Sequence, residues 1–257
     1  MMQSVAKAPR NPAFRRRRLA TPPAHPSRTA GSLHTDVILM RALRLLPHLT
    51  VLIVLLMAGS LLATAPAEAQ SLLRQGSRGP AVTQLQTRLA QLRYDVGAVD
   101  GVYGTSTKHA VVAFQKVNGL ARDGVVGPAT RAALAKPKAL AVRRVRRGTY
   151  IEVNQRLQVV ALVNDGKIRR IYDTSTGKAS TPTPAGRYHI ERRIDGWRTS
   201  KLGTMWRPAY FHRGYALHGY PSVPPYPASH GCVRLTNASM NRLWPNLRIG
   251  TPVEIYR

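Results

Sequence analysis

Apolar positions along the chain change their period twice, and each change opens a new kind of segment. The first is an unbroken run, Leu49 to Leu62, too continuous for a water-facing amphipathic helix. From Gly79 to Leu92, Val82, Leu85, Leu89 and Leu92 recur at steps of three and four, one stripe of a helix. Pro80 suits its first turn, where the missing N–H costs nothing. Ala110, Val111, Phe114 and Val117 predict a second helix over about Thr107 to Val117, and a short third follows Gly127-Pro128. After Gly148 the period becomes two. Tyr150 to Val153 and Leu157 to Val163 read as strands, Asn164-Asp165-Gly166-Lys167 as a tight hairpin turn, and Ile168 to Tyr172 as the returning strand. Further strands are expected at Gly186–Arg193, Ala209–His212, Tyr215–Leu217 and Pro252–Tyr256, with one helix over Ala238–Trp244 capped by Thr236 or Asn237. The pattern predicts two domains: a small all-α three-helix module, then a mostly-β sandwich or partial barrel with one helix. The boundaries fall at 70–136 and 149–257, with residues 137–148 as a basic linker free to lie against an anionic surface.

The apolar run belongs to an export segment. Arg41 and Arg44 precede it and Ala67-Glu68-Ala69 follows, which together make the n-region, h-region and cleavage site of a signal peptide at 40–69. Retention as a membrane anchor is the alternative, since Leu49 to Ala65 is 17 residues, at the lower edge of a bilayer span. Residues 1–39 are rich in Pro, Ala, Ser and Arg, with no apolar period, and are expected to precede a true start at Met40.

Composition then narrows the partners. The 257 residues carry 39 Lys and Arg against 11 Asp and Glu, a formal +28, and residues 70–257 alone keep +21. Such a surface seeks a polyanion. Export removes nucleic acid and leaves peptidoglycan, anionic wall polymers and the membrane surface, the last touched only through the signal segment. A base-composition bias of the genome accounts for the arginine excess equally well. A single cysteine excludes an internal disulfide framework and a thiolate metal cluster.

The helical module repeats a phrase. Asp100-Gly101-Val102-Tyr103-Gly104 leads to Thr107, and Asp123-Gly124-Val125-Val126-Gly127 leads to Thr130. With Gly76-Ser77-Arg78-Gly79, Leu85-Gln86, Phe114-Gln115 and Gly119-Leu120, this segment resembles the peptidoglycan-binding domain 1 family. The resemblance implies a wall binder. No acid, base or metal cluster stands between Leu72 and Leu134, so the module is expected to tether rather than catalyse.

Chemistry concentrates in Leu217-His218-Gly219-Tyr220 and, after a proline-rich loop, Ser229-His230-Gly231-Cys232-Val233-Arg234-Leu235. A thiol is mostly protonated at neutral pH, and a nearby His can take its proton. Gly231 permits a tight turn, and the amides of Gly231 and Cys232 are candidate oxyanion donors, with Ser229 in the same turn. A buried, inert Cys232 is the alternative, with His218 a sheet histidine and His230 a turn cap.

These strings resemble the L,D-transpeptidase (YkuD) catalytic domain. Ser175-Thr176-Gly177, Thr181-Pro182-Thr183-Pro184-Ala185-Gly186 and Gly250-Thr251-Pro252-Val253 extend the likeness over Thr149–Tyr256. Only ten residues separate His218 from Ser229, fewer than in many members, and Pro221, Pro224, Pro225 and Pro227 make that loop a stiff lip. The resemblance implies that Cys232 attacks the carbonyl of the third residue of a tetrapeptide stem and releases D-alanine. The thioester then passes to an amine of a second stem as a 3→3 cross-link. His218 would be the base, His230 an assistant, and Gly219 and Tyr220 substrate contacts. Arg234 would hold a stem carboxylate or brace the loop. No cofactor or metal is called for. Water as acceptor would make the same machinery an L,D-carboxypeptidase, and a protein acceptor would make it a protein-to-peptidoglycan ligase. A non-catalytic wall-binding protein, or a zinc peptidase on His218, His230 and Cys232, are the rival classes; the last lacks a His-Glu-x-x-His helix.

Overall fold

The computed structural model describes residues 71–257, so the export segment, its cleavage site and the Met40 start lie outside the described residues. No described helix is long and apolar enough to cross a membrane.

Three helices open the described chain: α1 (Pro80–Gln91), α2 (Thr105–Asn118) and α3 (Pro128–Ala135). The repeated phrase is a repeated hydrogen-bond device. Gln86 Nε2 donates to Asp100 Oδ1, Val102 O and Thr107 Oγ1 at 2.9, 3.1 and 3.0 Å, while its Oε1 accepts from the amides of Asp100 and Gly101. Gln115 does the same for the second copy, donating to Asp123 Oδ1, Val125 O and Thr130 Oγ1 and accepting from Gly124 N. Each buried glutamine uses both ends of its amide on a turn whose glycine, Gly101 or Gly124, sits at φ +70°.

The second domain is built from two five-stranded sheets. The first orders β3 (Lys167–Asp173), β2 (Val159–Asn164), β1 (Thr149–Asn154), β10 (Pro252–Tyr256) and β4 (Gly186–His189), with β1 and β10 parallel. The second orders β5 (Arg192–Arg193), β7 (Gly203–His212), β8 (Tyr215–Gly219) and β9 (Val233–Leu235), with β6 (Trp197–Ser200) also on β7. The predicted hairpin at 164–167 forms, with Asp165 and Gly166 both at positive φ, as a two-residue primed turn requires. Inward-facing Ile151, Val153, Ile255, Phe211, Leu217 and Leu235 meet between the sheets, closed by Met240 and Leu243 of α4 (Asn237–Leu243). Thr236 caps α4 by accepting from Ser239 N. This is the mostly-β domain with one helix that the pattern predicts. The single strand expected over Gly186–Arg193 is instead two, in different sheets, because the chain crosses between layers at Ile190-Glu191.

One expectation fails at the junction. The connector at 137–148 is not a free linker. Leu140 and Val142 pack on Tyr150, Ala161 and Val163, and the amides of Arg143 and Arg144 donate to the Glu152 carboxylate. Arg143, Arg144 and Arg146 also surround Glu254, so the connector's charge is partly spent inside the fold. The helical module and the catalytic domain fall in one compact unit. The loop after α1 bonds to the β3 edge, with Ile171 N donating to Arg93 O at 2.7 Å and Asp95 N donating to Ile171 O at 3.0 Å. Val159 and Ile171 of the sheet lie in the same apolar cluster as α1 and α2. Asp95 receives Nε and Nη2 of Arg242 at 2.7 and 2.8 Å and the Ser239 hydroxyl at 2.8 Å. Lys116 of α2, wholly buried, donates to Asp173 Oδ1, Gln158 O and Thr174 O at 2.5, 3.0 and 2.9 Å, and His109 Nδ1 lies 2.6 Å from the other Asp173 oxygen. The module alone shows no ionisable cluster because the acid of this one comes from the other domain.

Candidate active site

Parallel pairing of β8 with β9 sets His218 opposite Arg234 and Leu217 opposite Val233. Side chains alternate along a strand and opposed residues share a face, so His218, Arg234 and Cys232, two before Arg234, point the same way. All three line one cavity of about 360 Å³. Ser229, His230 and Tyr220 also line it, as do Arg192, Arg198 and Lys201, with no carboxylate in its wall. Four cations around one cleft favour an anionic substrate.

The turn before β9 is held from several sides. Ser229 Oγ donates to Cys232 O at 2.5 Å and accepts from Gly231 N at 3.1 Å. Ser229 N donates to Thr176 O, while Ser229 O accepts from Lys178 N and from Thr181 Oγ1. Thr183 Oγ1 donates to Gly231 O at 2.8 Å. Gly231 sits at φ +109°, and a Cβ there would lie 2.3 Å from the Tyr215 ring, so only glycine fits. Ser229 is therefore the staple of the turn. The expected oxyanion pair loses one member, because the Gly231 amide is already bound to Ser229; the Cys232 amide remains.

His218 is 3% exposed. Its Nδ1 lies 2.9 Å from Gly219 O, a pure acceptor, so Nδ1 carries the proton and Nε2 keeps its lone pair. Burial pulls its pKa down to about 4, with the Arg234 charge lowering it further and the Gly219 carbonyl opposing. At neutral pH the ring is an uncharged acceptor. Burial pushes the Cys232 thiol up, opposed by the Ala216 backbone and by Arg234. At rest the thiol is protonated, with Sγ directed at Gly214 O at 3.9 Å, and the His218 imidazole is neutral. Tyr220 sets the far wall, its ring edge-on to His218 at 5.9 Å and beneath the Arg234 guanidinium at 4.3 Å.

Other expected residues fall elsewhere. Gly219 does not line the cavity: it is buried, and a Cβ would meet Asn237 Oδ1 at 2.6 Å and Trp206 at 2.9 Å. Its carbonyl instead fixes the His218 tautomer. His230 is exposed at the cavity wall. Arg234 has a buried Nε without a partner, while its backbone pairs with Ser175 and its carbonyl accepts from Thr174 Oγ1 at 2.6 Å. Arg192, Arg198 and Lys201 are not foreseeable from the sequence, because they lie on a two-residue strand and a hairpin with no motif of their own. Thr183 is marked by the Thr-Pro-Thr-Pro run, but Gln158, which donates to Thr176 Oγ1 at 2.7 Å and accepts from Thr176 N at 2.8 Å, carries no such marker. Among the described residues no group of three or more His, Cys, Asp or Glu side chains converges as a metal set.

Residues 148–255 match the family described as "L,D-transpeptidase catalytic domain", and residues 78–134 match "Putative peptidoglycan binding domain". The crystal structure of the L,D-transpeptidase from Xylanimonas cellulosilytica shares 44% identity, covers 73% of this chain and 98% of that one, and superposes with a TM-score of 0.69. The chain belongs to the L,D-transpeptidase family, with a peptidoglycan-binding module before the catalytic domain. "Putative L,D-transpeptidase YqjB" of Bacillus subtilis is 29% identical over 124 residues, 41% of this chain and 70% of that protein. "Probable N-acetylmuramoyl-L-alanine amidase" of Bacillus licheniformis is 39% identical over 80 residues, 30% of this chain, and the match spans only 23% of the amidase.

Proposed function

We propose that the chain is an exported peptidoglycan L,D-transpeptidase that works through a Cys232 thioester on tetrapeptide stems. The observation that carries this reading is one cavity in which a thiol, a neutral histidine and four cations meet without a carboxylate. The cations suit the carboxylates of an acidic stem. As Cys232 Sγ attacks the third-residue carbonyl, its proton passes to His218 Nε2, and the Cys232 amide faces the developing oxyanion. The imidazolium returns that proton to the departing D-alanine nitrogen as the C–N bond breaks. The acceptor amine of a second stem then attacks the thioester, loses a proton to His218, and expels the thiolate to leave a 3→3 cross-link. Low starting basicity of His218 makes the imidazolium short-lived and a ready acid. Ser229 and Thr183 position the nucleophile's turn, and Tyr220 and Arg234 set the wall beside the base.

Incubating the protein with a defined disaccharide-tetrapeptide tests the reaction. Cross-linked dimers and free D-alanine are expected, and both should vanish in Cys232→Ala. Tripeptide without dimer would assign hydrolysis in place of transfer.

A further inference from the structure

A second cavity, of about 390 Å³, opens between α2 of the module and the proline lip of the catalytic domain. Lys108 and His109 of α2 and Arg122 form one wall, and Pro221, Val223 and Pro224 face them. We infer that this junction cavity is a carboxylate-binding subsite, taking one acidic stem of a peptidoglycan strand while the neighbouring stem occupies the catalytic cavity. The inference rests on the proposed peptidoglycan substrate.

Four features carry it. The Lys108 ammonium has no hydrogen-bond or ion-pair partner among the described residues, although Lys108 is half-buried. Arg122 spends one donor on Pro225 O at 3.2 Å and keeps the rest of its fork. The one carboxylate in the wall, Asp123, turns Oδ1 into its own loop, towards Gln115 Nε2 and Val125 N. Asp173 holds His109 by Nδ1, which leaves the second ring nitrogen to a ligand. The volume is that of a small-molecule pocket, and the facing proline and valine surfaces suit the aliphatic body of a peptide better than a phosphate polymer, which needs an open cationic groove.

Position supports the pairing of the two cavities. Tyr220 lines the catalytic cavity and the next residue, Pro221, lines the junction cavity, so the lip is their common wall. That wall is pinned on both sides: Arg122 holds Pro225 O, and Ser175 Oγ donates to Tyr226 O at 2.7 Å. A strand crossing the lip would place two stems in two cation-lined cavities, each built in part by the segment that links His218 to Ser229.

The test compares soluble glycans with one and with two tetrapeptide stems, titrated calorimetrically into the Cys232→Ala protein. The two-stem ligand is expected to bind at least about tenfold tighter, because its second stem is held at high effective concentration. Lys108→Gln with Arg122→Gln should erase that advantage; because Arg122 also pins the lip, one-stem affinity is compared in Lys108→Gln, where it should stay within about twofold. Lys108→Gln alone, which breaks no hydrogen bond or ion pair among the described residues, should erase part of the two-stem advantage. Equal affinity for both ligands, or an advantage that survives the double substitution, overturns the site. Displacement of the two-stem ligand by polyglycerol phosphate through Lys108 and Arg122, with no stem-dependent gain, assigns the cavity to a phosphate polymer and overturns it too. Failure of the wild type to cross-link while the two-stem advantage persists would sink the proposed reaction and leave this site standing.

Discussion

Lys116→Met is the sharpest perturbation of the junction. The native ammonium is buried and burial lowers its pKa, but Asp173 opposes that shift and all three of its donors are used. Methionine fills similar space and removes the charge. Asp173, whose side chain is 2% exposed, would then keep only His109 as a polar partner, and the carbonyls of Gln158 and Thr174 would lose a donor. Breaking a buried pair from one side costs about 3–5 kcal/mol, because the remaining charge is neither hydrated nor paired. For a folded unit of this size each kcal/mol moves the melting midpoint by about 2–4 °C, so a fall of about 6–20 °C is expected. Thermal denaturation followed by near-ultraviolet circular dichroism measures it. Adding Asp173→Leu should recover part of the loss, since the stranded charge goes while the Thr174 carbonyl still lacks its donor and Gln158 O keeps only the Thr174 amide. A single substitution that moves the midpoint by less than about 2 °C, or that splits one transition into two, would refute the view that module and catalytic domain share one core.

The remaining predictions concern the site. His218 has a lower pKa folded than unfolded, so its contribution is full above the unfolded value of about 6.5 and is lost as pH falls towards 4. Urea titrations at pH 7.5 and 4.5 should show about 2–3 kcal/mol of acid destabilisation, much reduced in His218→Gln. Cys232→Ala should keep the fold and abolish acyl transfer, while Cys232→Ser should be nearly inactive, because a hydroxyl is far harder to deprotonate. Iodoacetamide alkylation of the free protein should rise only above the ordinary thiol pKa, since burial pushes Cys232 up; a low-pH plateau of fast labelling would point to a resting ion pair. Gly231→Ala should cost about 1–3 kcal/mol or more through backbone strain and the Tyr215 clash, read as a lowered melting midpoint.

The helices, the hairpin at 164–167 and the cysteine-bearing turn were legible because each rests on local pattern: a period of 3.6, a positive-φ dipeptide, a string with its own chemistry. What stayed hidden depends on pairing across distance. Gly219 and Gly231 looked like catalytic-loop glycines, and only the nearness of Trp206 and Tyr215 shows that they are packing requirements. The Gly231 amide looked free because nothing in the string says that Ser229 Oγ turns back to accept it. The connector reads as a loose basic tether, since Glu254, which takes up its charge, lies on the last strand, and nothing in the string shows that nearby Glu152 accepts from the amides of Arg143 and Arg144. Lys116 sits mid-helix with no marker, and its acid lies 57 residues away. Removal of the module would strip Asp173 and Ile171 of their cover.

The central claim, that Cys232 carries the stem as a thioester, is met most directly by intact-mass spectrometry of the protein quenched in acid during turnover of a disaccharide-tetrapeptide. A single adduct is predicted, equal to the substrate less its terminal D-alanine, mapped to Cys232, removed by hydroxylamine and absent from Cys232→Ala. Released D-alanine and cross-linked product from Cys232→Ala, or an adduct carried by any other residue, would contradict the account.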